Sequence, residues 1–411
     1  MQAADHQDHP SIFVPETIRF QCTFCGNCCH QWPVPLTELD AQRLSEELAL
    51  PLSALPVDTL SRAESESTGL KGFTRALLKG DGGKCSFLNQ EGLCQLEGKA
   101  KPSMCQLFPF TFVHTPEGLY TGLSFASTGV LENKGALLSE QPEVLNKMAD
   151  LFERLNPGLA QETLQGWQRI ELYDGQPLPY EQFLELQGEL LHGVFAIMQA
   201  PLTYPKISVL RFLTEFFCEI QNIEPSRQTL VNRLGDPIAM DSYLLSGFAN
   251  NFFEDNATAV MVRPDRLVQR IAMMMQDGKA VESIDSLDLT FAQLQDHAIG
   301  KQPLSTEDIF ARYAYVRLFS RLYLGPGLSG LSFSAGLGHL CLILILARLR
   351  LKRLIMQFPE QTDRHYQFAL ESIRLVESKW TALKYASDGK NMLEIFFLDK
   401  DRPKRLYELV S

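Results

Sequence analysis

The stretch Phe20-Gln21-Cys22-Thr23-Phe24-Cys25-Gly26-Asn27-Cys28-Cys29 places four of the chain's nine cysteines within eight residues. If the segment is helical, about 100° per residue puts all four thiols within an arc of about 120°. In a loop, two-residue spacers still bring neighbouring thiolates within reach of one ion, as in zinc knuckles and iron–sulfur loops. Either way the spacing points to a metal. Cys28 and Cys29 are harder to place, because adjacent side chains rarely face the same ion; one of them serves a second centre or stays unligated.

Working outward, Cys85, Cys94 and Cys105 follow at wider intervals, so seven cysteines fall in 84 residues. Bound to one metal site, the two halves would tie the loop from Cys85 to Cys105 back onto the first motif, and the domain would depend on its metal for folding. Seven thiols, with His30 as a candidate eighth ligand, exceed one tetrahedral zinc and the four thiolates of a [4Fe–4S] cluster. Either two centres share the set, or four cysteines hold one cluster and the others pack, do redox chemistry or face a substrate. Cys218 and Cys341 lie in apolar helical text and read as packing residues. The first residues show neither a basic run nor an apolar run of a secretory leader, so a reducing, cytoplasmic setting is expected, where clustered thiols bind metals rather than form disulfides.

The rest of the 411 residues divides in two. Residues 1–135 read as a small cysteine-rich metal-binding α+β domain, and 136–411 as an all-α helical bundle of six to ten helices, so the fold class is mainly α. Thr37 before Glu38-Leu39-Asp40 predicts a capped helix start. Thr111–His114 and Leu119–Leu123 around Thr115-Pro116-Glu117-Gly118 predict a β-hairpin. Apolar stripes predict helices over 144–155, 180–199, 206–221, 306–323 and 364–384. From Leu328 to Ala347 twenty residues carry no formal charge, followed by Arg348, Arg350, Lys352 and Arg353. Interrupted by glycines and serines, this segment reads as a central bundle helix in preference to a membrane span, with the basic residues continuing onto the surface. The 38 basic against 49 acidic residues give a net charge of −11, which argues against broad nucleic-acid binding.

Cys85-Ser86-Phe87-Leu88, Gly92-Leu93-Cys94 and Lys101-Pro102-Ser103-Met104-Cys105-Gln106-Leu107-Phe108-Pro109-Phe110, together with the opening motif, resemble the CxxCxxCC cysteine-cluster family, over about the first 115 residues. The resemblance implies zinc or iron chelation, often as an iron–sulfur protein, with Cys22, Cys25, Cys28, Cys29, Cys85, Cys94 and Cys105 as the metal residues. A looser likeness, in Tyr315–Tyr323 and the apolar segment after it, is to flagellin lysine-N-methylases, although their cysteine gaps are wider. The expected cofactor is an iron–sulfur cluster, or else zinc; the expected partner is a protein or protein substrate. If the chain is an enzyme, it would be an Fe–S oxidoreductase or a protein lysine methylase; a zinc-stapled interaction module is the non-catalytic alternative. The sequence contains no Walker-A, Gly-x-Ser-x-Gly, His-Glu-x-x-His, Rossmann or Cys-x3-Cys-x2-Cys motif. Asp81-Gly82-Gly83-Lys84 reads as a turn presenting Cys85 rather than a phosphate cradle, and His114 and His339 read as structural.

Overall fold

The computed structural model describes residues 10–30, 34–59, 73, 75–79, 83–200, 208–220, 237–253, 281–296, 305–324, 330–380 and 387–410. The side chain of His30, residues 81–82 of the glycine-rich turn, and the expected helix ends at 206–207, 221 and 381–384 lie outside them, as do 328–329. Within the described residues the fold is 60% helical with 14 helices, and a small strand-containing, cysteine-bearing part precedes the helical region.

The N-terminal part holds β1 (Ile12–Phe13), β2 (Arg19–Phe20), β3 (Val34–Leu36), α1 (Glu38–Leu48), β4 (Val57–Thr59), β5 (Arg75–Leu77), α2 (Ser103–Leu107), β6 (Phe110–Thr115), β7 (Gly118–Leu123), α3 (Thr128–Leu131) and β8 (Ala136–Leu137). α1 begins as its sequence predicts. Thr37 Oγ1 accepts the Asp40 amide at 3.1 Å and Asp40 Oδ2 accepts the Thr37 amide at 3.1 Å, a reciprocal capping box. The predicted hairpin is β6–β7, closed at Pro116–Glu117, and β1 adds to it in parallel along β7. β3, β5 and β4 form a second, antiparallel sheet, while β2 pairs with β8 across the whole cysteine-rich segment.

Helices α4 (Pro142–Leu155), α5 (Leu159–Trp167), α6 (Tyr180–Gln199), α7 (Val209–Ile220), α8 (Pro237–Phe253), α9 (Phe291–Asp296), α10 (Ser305–Phe319), α11 (Phe333–Gln357), α12 (His365–Trp380), α13 (Ser387–Phe396) and α14 (Arg402–Glu408) follow, with the short pairs β9 (Glu171–Tyr173)–β10 (Gln176–Pro177) and β11 (Ser283–Ile284)–β12 (Leu289–Thr290) between them. That exceeds the expected ten, because α5, α9, α13 and α14 are too short to show a stripe. The stripes of α4 and α6 bury Leu145, Met148, Leu151 and Phe152, and Phe183, Leu190, Val194 and Ile197, each side chain worth about 1.5–3 kcal/mol of burial.

Two apolar cores result. The larger runs from Ile18 and the β6–β7 hairpin through the helices to Val410. The smaller gathers Val34, Leu36, Leu44, Leu55, Leu77, Phe87, Leu96 and Ala100 beside the cysteines. At the centre of the larger core lies α11, packed against α12, α7, α13 and α14. It is the one described helix long and apolar enough to cross a membrane, and 89% of its apolar window is buried inside the protein. Ser332 caps it, and Glu394 accepts from both the Ser332 amide (2.7 Å) and hydroxyl (2.6 Å). Its basic end differs from the expected surface run: Lys352 is buried and donates to the Leu294 carbonyl at 2.9 Å, and Arg348 pairs with Glu307 at 2.9 Å. The helix simply outruns its uncharged stretch by ten residues, and α9 and α10 cover it there.

Candidate metal centre

The cysteine motif is a loop followed by one tight turn, not a helix. Cys22 and Cys25 are exposed in the loop, where Phe24 (φ 51°) and Gly26 (φ 67°) take left-handed backbone, and Cys28 and Cys29 ride the 3₁₀ turn Asn27–His30. Gly26 is needed twice over, since a Cβ there would stand 2.7 Å from the Gly92 carbonyl oxygen. That contact sets the motif against the loop that carries Cys94.

The remaining thiols are delivered by short ladders. The Cys85 amide donates to the Cys29 carbonyl at 3.1 Å, and Lys79 Nζ donates to the same oxygen at 2.7 Å. Lys79 pairs with Cys85 and Leu88 with Cys94 as isolated antiparallel bridges, the second closed by Asn89 Oδ1, which accepts the amides of Glu91 and Leu93. Cys105 sits on α2, whose first turn is anchored by Asp40: its Oδ1 accepts the Ser103 amide at 3.0 Å and hydroxyl at 2.7 Å. One buried carboxylate thus caps both α1 and α2. Cys85, Cys94, Cys105 and Met104 pack on the smaller core.

All nine cysteines are free thiols. Cys28 and Cys29 touch, and the bond splits them electrostatically. Contact with the Cys29 thiol pulls Cys28 below the usual thiol range against burial and the neighbouring Cys22, Cys25 and Cys105. Cys29 is pushed up, first by that bond and then by burial, with Lys79 and Lys101 opposing. Burial pushes Cys105 up to about 12, reinforced by Cys29, Cys85 and Cys94, and burial raises Cys94 as well. Cys25 moves the other way. Burial would raise it, but contacts with Thr128, Thr23, the Asn27 backbone and Arg374 prevail and lower it. Lys79 is lowered by burial against the pull of Cys85 and Cys29, while Lys101, despite burial, is raised by Glu97.

The seven motif cysteines therefore form one continuous patch: Cys29, Cys85, Cys94 and Cys105 adjoin one another, and Cys28 faces Cys22 and Cys25 while also reaching Cys29 and Cys105. Among the described residues no three His, Cys, Asp or Glu side chains are arranged to hold a metal ion as they stand. In donor chemistry the set does fit zinc or iron, being all thiol with two ammonium groups beside it to offset thiolate charge. Of the other cysteines, Cys341 is buried in α11 and Cys218 reaches the Lys400 carbonyl at 3.0 Å. His114 meets Glu153 at 2.9 Å and its carbonyl accepts Trp167 Nε1, far from the thiols in role.

Residues 21–130 match the CxxCxxCC family model, described as a "Putative zinc- or iron-chelating domain". The match spans just over a quarter of the chain and takes in every clustered cysteine. No curated protein and no solved structure matches the chain. The likeness to flagellin methylases accordingly stands on the residues quoted for it alone. Within the CxxCxxCC segment, sequence reasoning missed Lys79 and Thr128, and beyond it Arg374. Lys79 shares no motif with a cysteine, and Thr128 and Arg374 are brought to Cys25 only by tertiary structure.

Proposed function

We propose that the CxxCxxCC segment is a thiolate metal centre, in the first instance an iron–sulfur cluster, serving redox or metal-dependent chemistry on a protein partner or substrate that the helical region receives. The observation that carries this reading is that the Cys28–Cys29 step joins Cys22 and Cys25 on one side to Cys85, Cys94 and Cys105 on the other, so that seven thiols meet in one patch. Cys29, Cys85, Cys94 and Cys105 would hold one centre. Cys22, Cys25 and Cys28 would hold another with a position left open, the arrangement through which a metal meets an external ligand. A surplus of thiols of this kind suits a cluster, which when bound supplies one-electron transfer. The chain itself contributes Lys79, which fixes the Cys29 carbonyl, and Lys101, which with Lys79 offsets the anionic thiolates.

Zinc is the second reading, favoured by the smaller core: eight buried apolar residues are too few to hold a lobe without a staple. Anaerobic purification with metal and sulfide analysis separates the two. Iron with acid-labile sulfide and a visible band bleached by dithionite supports the cluster; a colourless, stoichiometric zinc protein supports the staple; a full-length chain that retains neither metal overturns both.

A further inference from the structure

Thr128, at the first turn of α3, has three polar neighbours on its hydroxyl oxygen: Cys25 Sγ at 3.1 Å, Asn27 Nδ2 at 3.3 Å and Arg374 Nη2 at 3.0 Å. A threonine hydroxyl offers two lone pairs and one proton. A guanidinium can only donate, and the Asn27 amide nitrogen donates as well, so these two fill the lone pairs. The O–H is left for the sulfur. The cysteine loop is pressed onto this point, since a Cβ at Gly129 would stand 2.2 Å from the Gln21 carbonyl oxygen.

Arg374 reaches Thr128 from α12, three residues before Glu377. Fully buried Glu377 clamps the same connecting segment, accepting from Ser124 Oγ at 2.9 Å and the Phe125 amide at 3.1 Å, while Tyr313 and Arg317 donate to its other oxygen. The buried Nε of Arg374 has no hydrogen-bond partner among the described residues, which leaves the guanidinium with donor capacity to spare.

We infer that Thr128 and Arg374 are positioning residues for a metal-ligating Cys25 sulfur: Thr128 donates its O–H to Cys25 Sγ, and Arg374 fixes that orientation from the helical region. The inference rests on the metal-centre reading. A hydrogen bond to a ligating sulfur withdraws electron density from the metal–sulfur bond, so it tunes the bound centre as well as holding the loop.

The test uses full-length chain stripped of metal and titrated anaerobically with cobalt(II), which reports zinc-type and iron-type thiolate sites alike. In Thr128→Val the sulfur-to-cobalt charge-transfer band is expected to move to lower energy and the cobalt affinity to fall roughly 10–100-fold. Thr128→Ser is expected to restore both, and Arg374→Gln to shift the band in the same direction by less. A Thr128→Val protein with the wild-type band overturns the inference, even if its affinity falls, because that would be loop anchoring alone. Should Thr128→Val fail to fold by circular dichroism, Arg374→Gln decides on the same band. Failure of the metal reading looks different: wild-type protein then gives no cobalt band at all, and the inference goes with it.

Discussion

Cys28 and Cys29 touch, yet Cys28 lies beside Cys22 and Cys25 while Cys29 meets Cys85 through its carbonyl, and their replacements are expected to differ. Serine at Cys29, Cys85, Cys94 or Cys105 should release the metal of that set, whereas serine at Cys28 should leave it bound and serine at Cys218 or Cys341 should change nothing, as metal analysis of each purified variant will show. Full metal content in a Cys85→Ser protein would remove the idea of a joint site. His339 carries a second expectation. Burial holds its imidazole well below 6.5 in the folded chain, so below that pH the unfolded chain binds the extra proton. Its stabilising contribution is whole above about pH 6.5 and is lost as pH falls toward the folded value. Between pH 7.5 and 5.5 the wild type should therefore lose more unfolding free energy than His339→Leu, on the order of 1 kcal/mol; equal losses in denaturant titrations would refute this. At this scale the cysteine cluster, which the family match takes in, and the Thr37 cap were legible because thiol spacing and capping are local. Asp40 bonding to Ser103, or Arg374 to Thr128, was not, since no periodicity links residues so far apart.

Among the elements, α4, α6, α10 and α12 could be read from their stripes to within a few residues. α8 could not, because its apolar residues surround it: Met240, Tyr243, Leu244, Leu245, Phe248 and Ala249 are all buried, and a helix covered on every side shows no polar face to find. α11 is legible as a core helix but not in its extent, since a run of basic residues ordinarily marks emergence at the surface and Lys352 is instead buried. Its close packing predicts a penalty where helix propensity alone predicts a gain. Alanine at Gly338 would place a Cβ 2.3 Å from Phe397 Cδ1, and overpacking of this kind costs about 1–3 kcal/mol against roughly 1 kcal/mol of propensity recovered. Chemical denaturation of Gly338→Ala should show net destabilisation, relieved in the double variant with Phe397→Leu; an unchanged or more stable single variant would mean that Phe397 moves aside freely.

For the whole molecule, the unequal cores set the response to metal loss. On the metal-centre reading the lobe around Leu36, Leu44 and Phe87, with only eight buried apolar residues, depends on its metal and the larger core does not, so a chelator should speed amide exchange across 34–59 and 83–105 and leave α11 protected. Uniform loss of protection would show instead that the lobe holds the helices together. The class, mainly helical behind a cysteine-rich part, was legible because composition and clustering are global properties. The route of the chain was not: β2 leaves the larger core at Phe20, the lobe is threaded out and back, and β8 closes the circuit only at Ala136–Leu137. During synthesis this order has a temporal meaning. Cys105, the last clustered thiol, is made well before α11 is complete at Gln357, and at ~5–20 residues per second the interval is roughly 10–50 s. On the metal-centre reading, the nascent lobe collects its ion while the helix whose Arg374 reaches Thr128, beside Cys25, is still unborn.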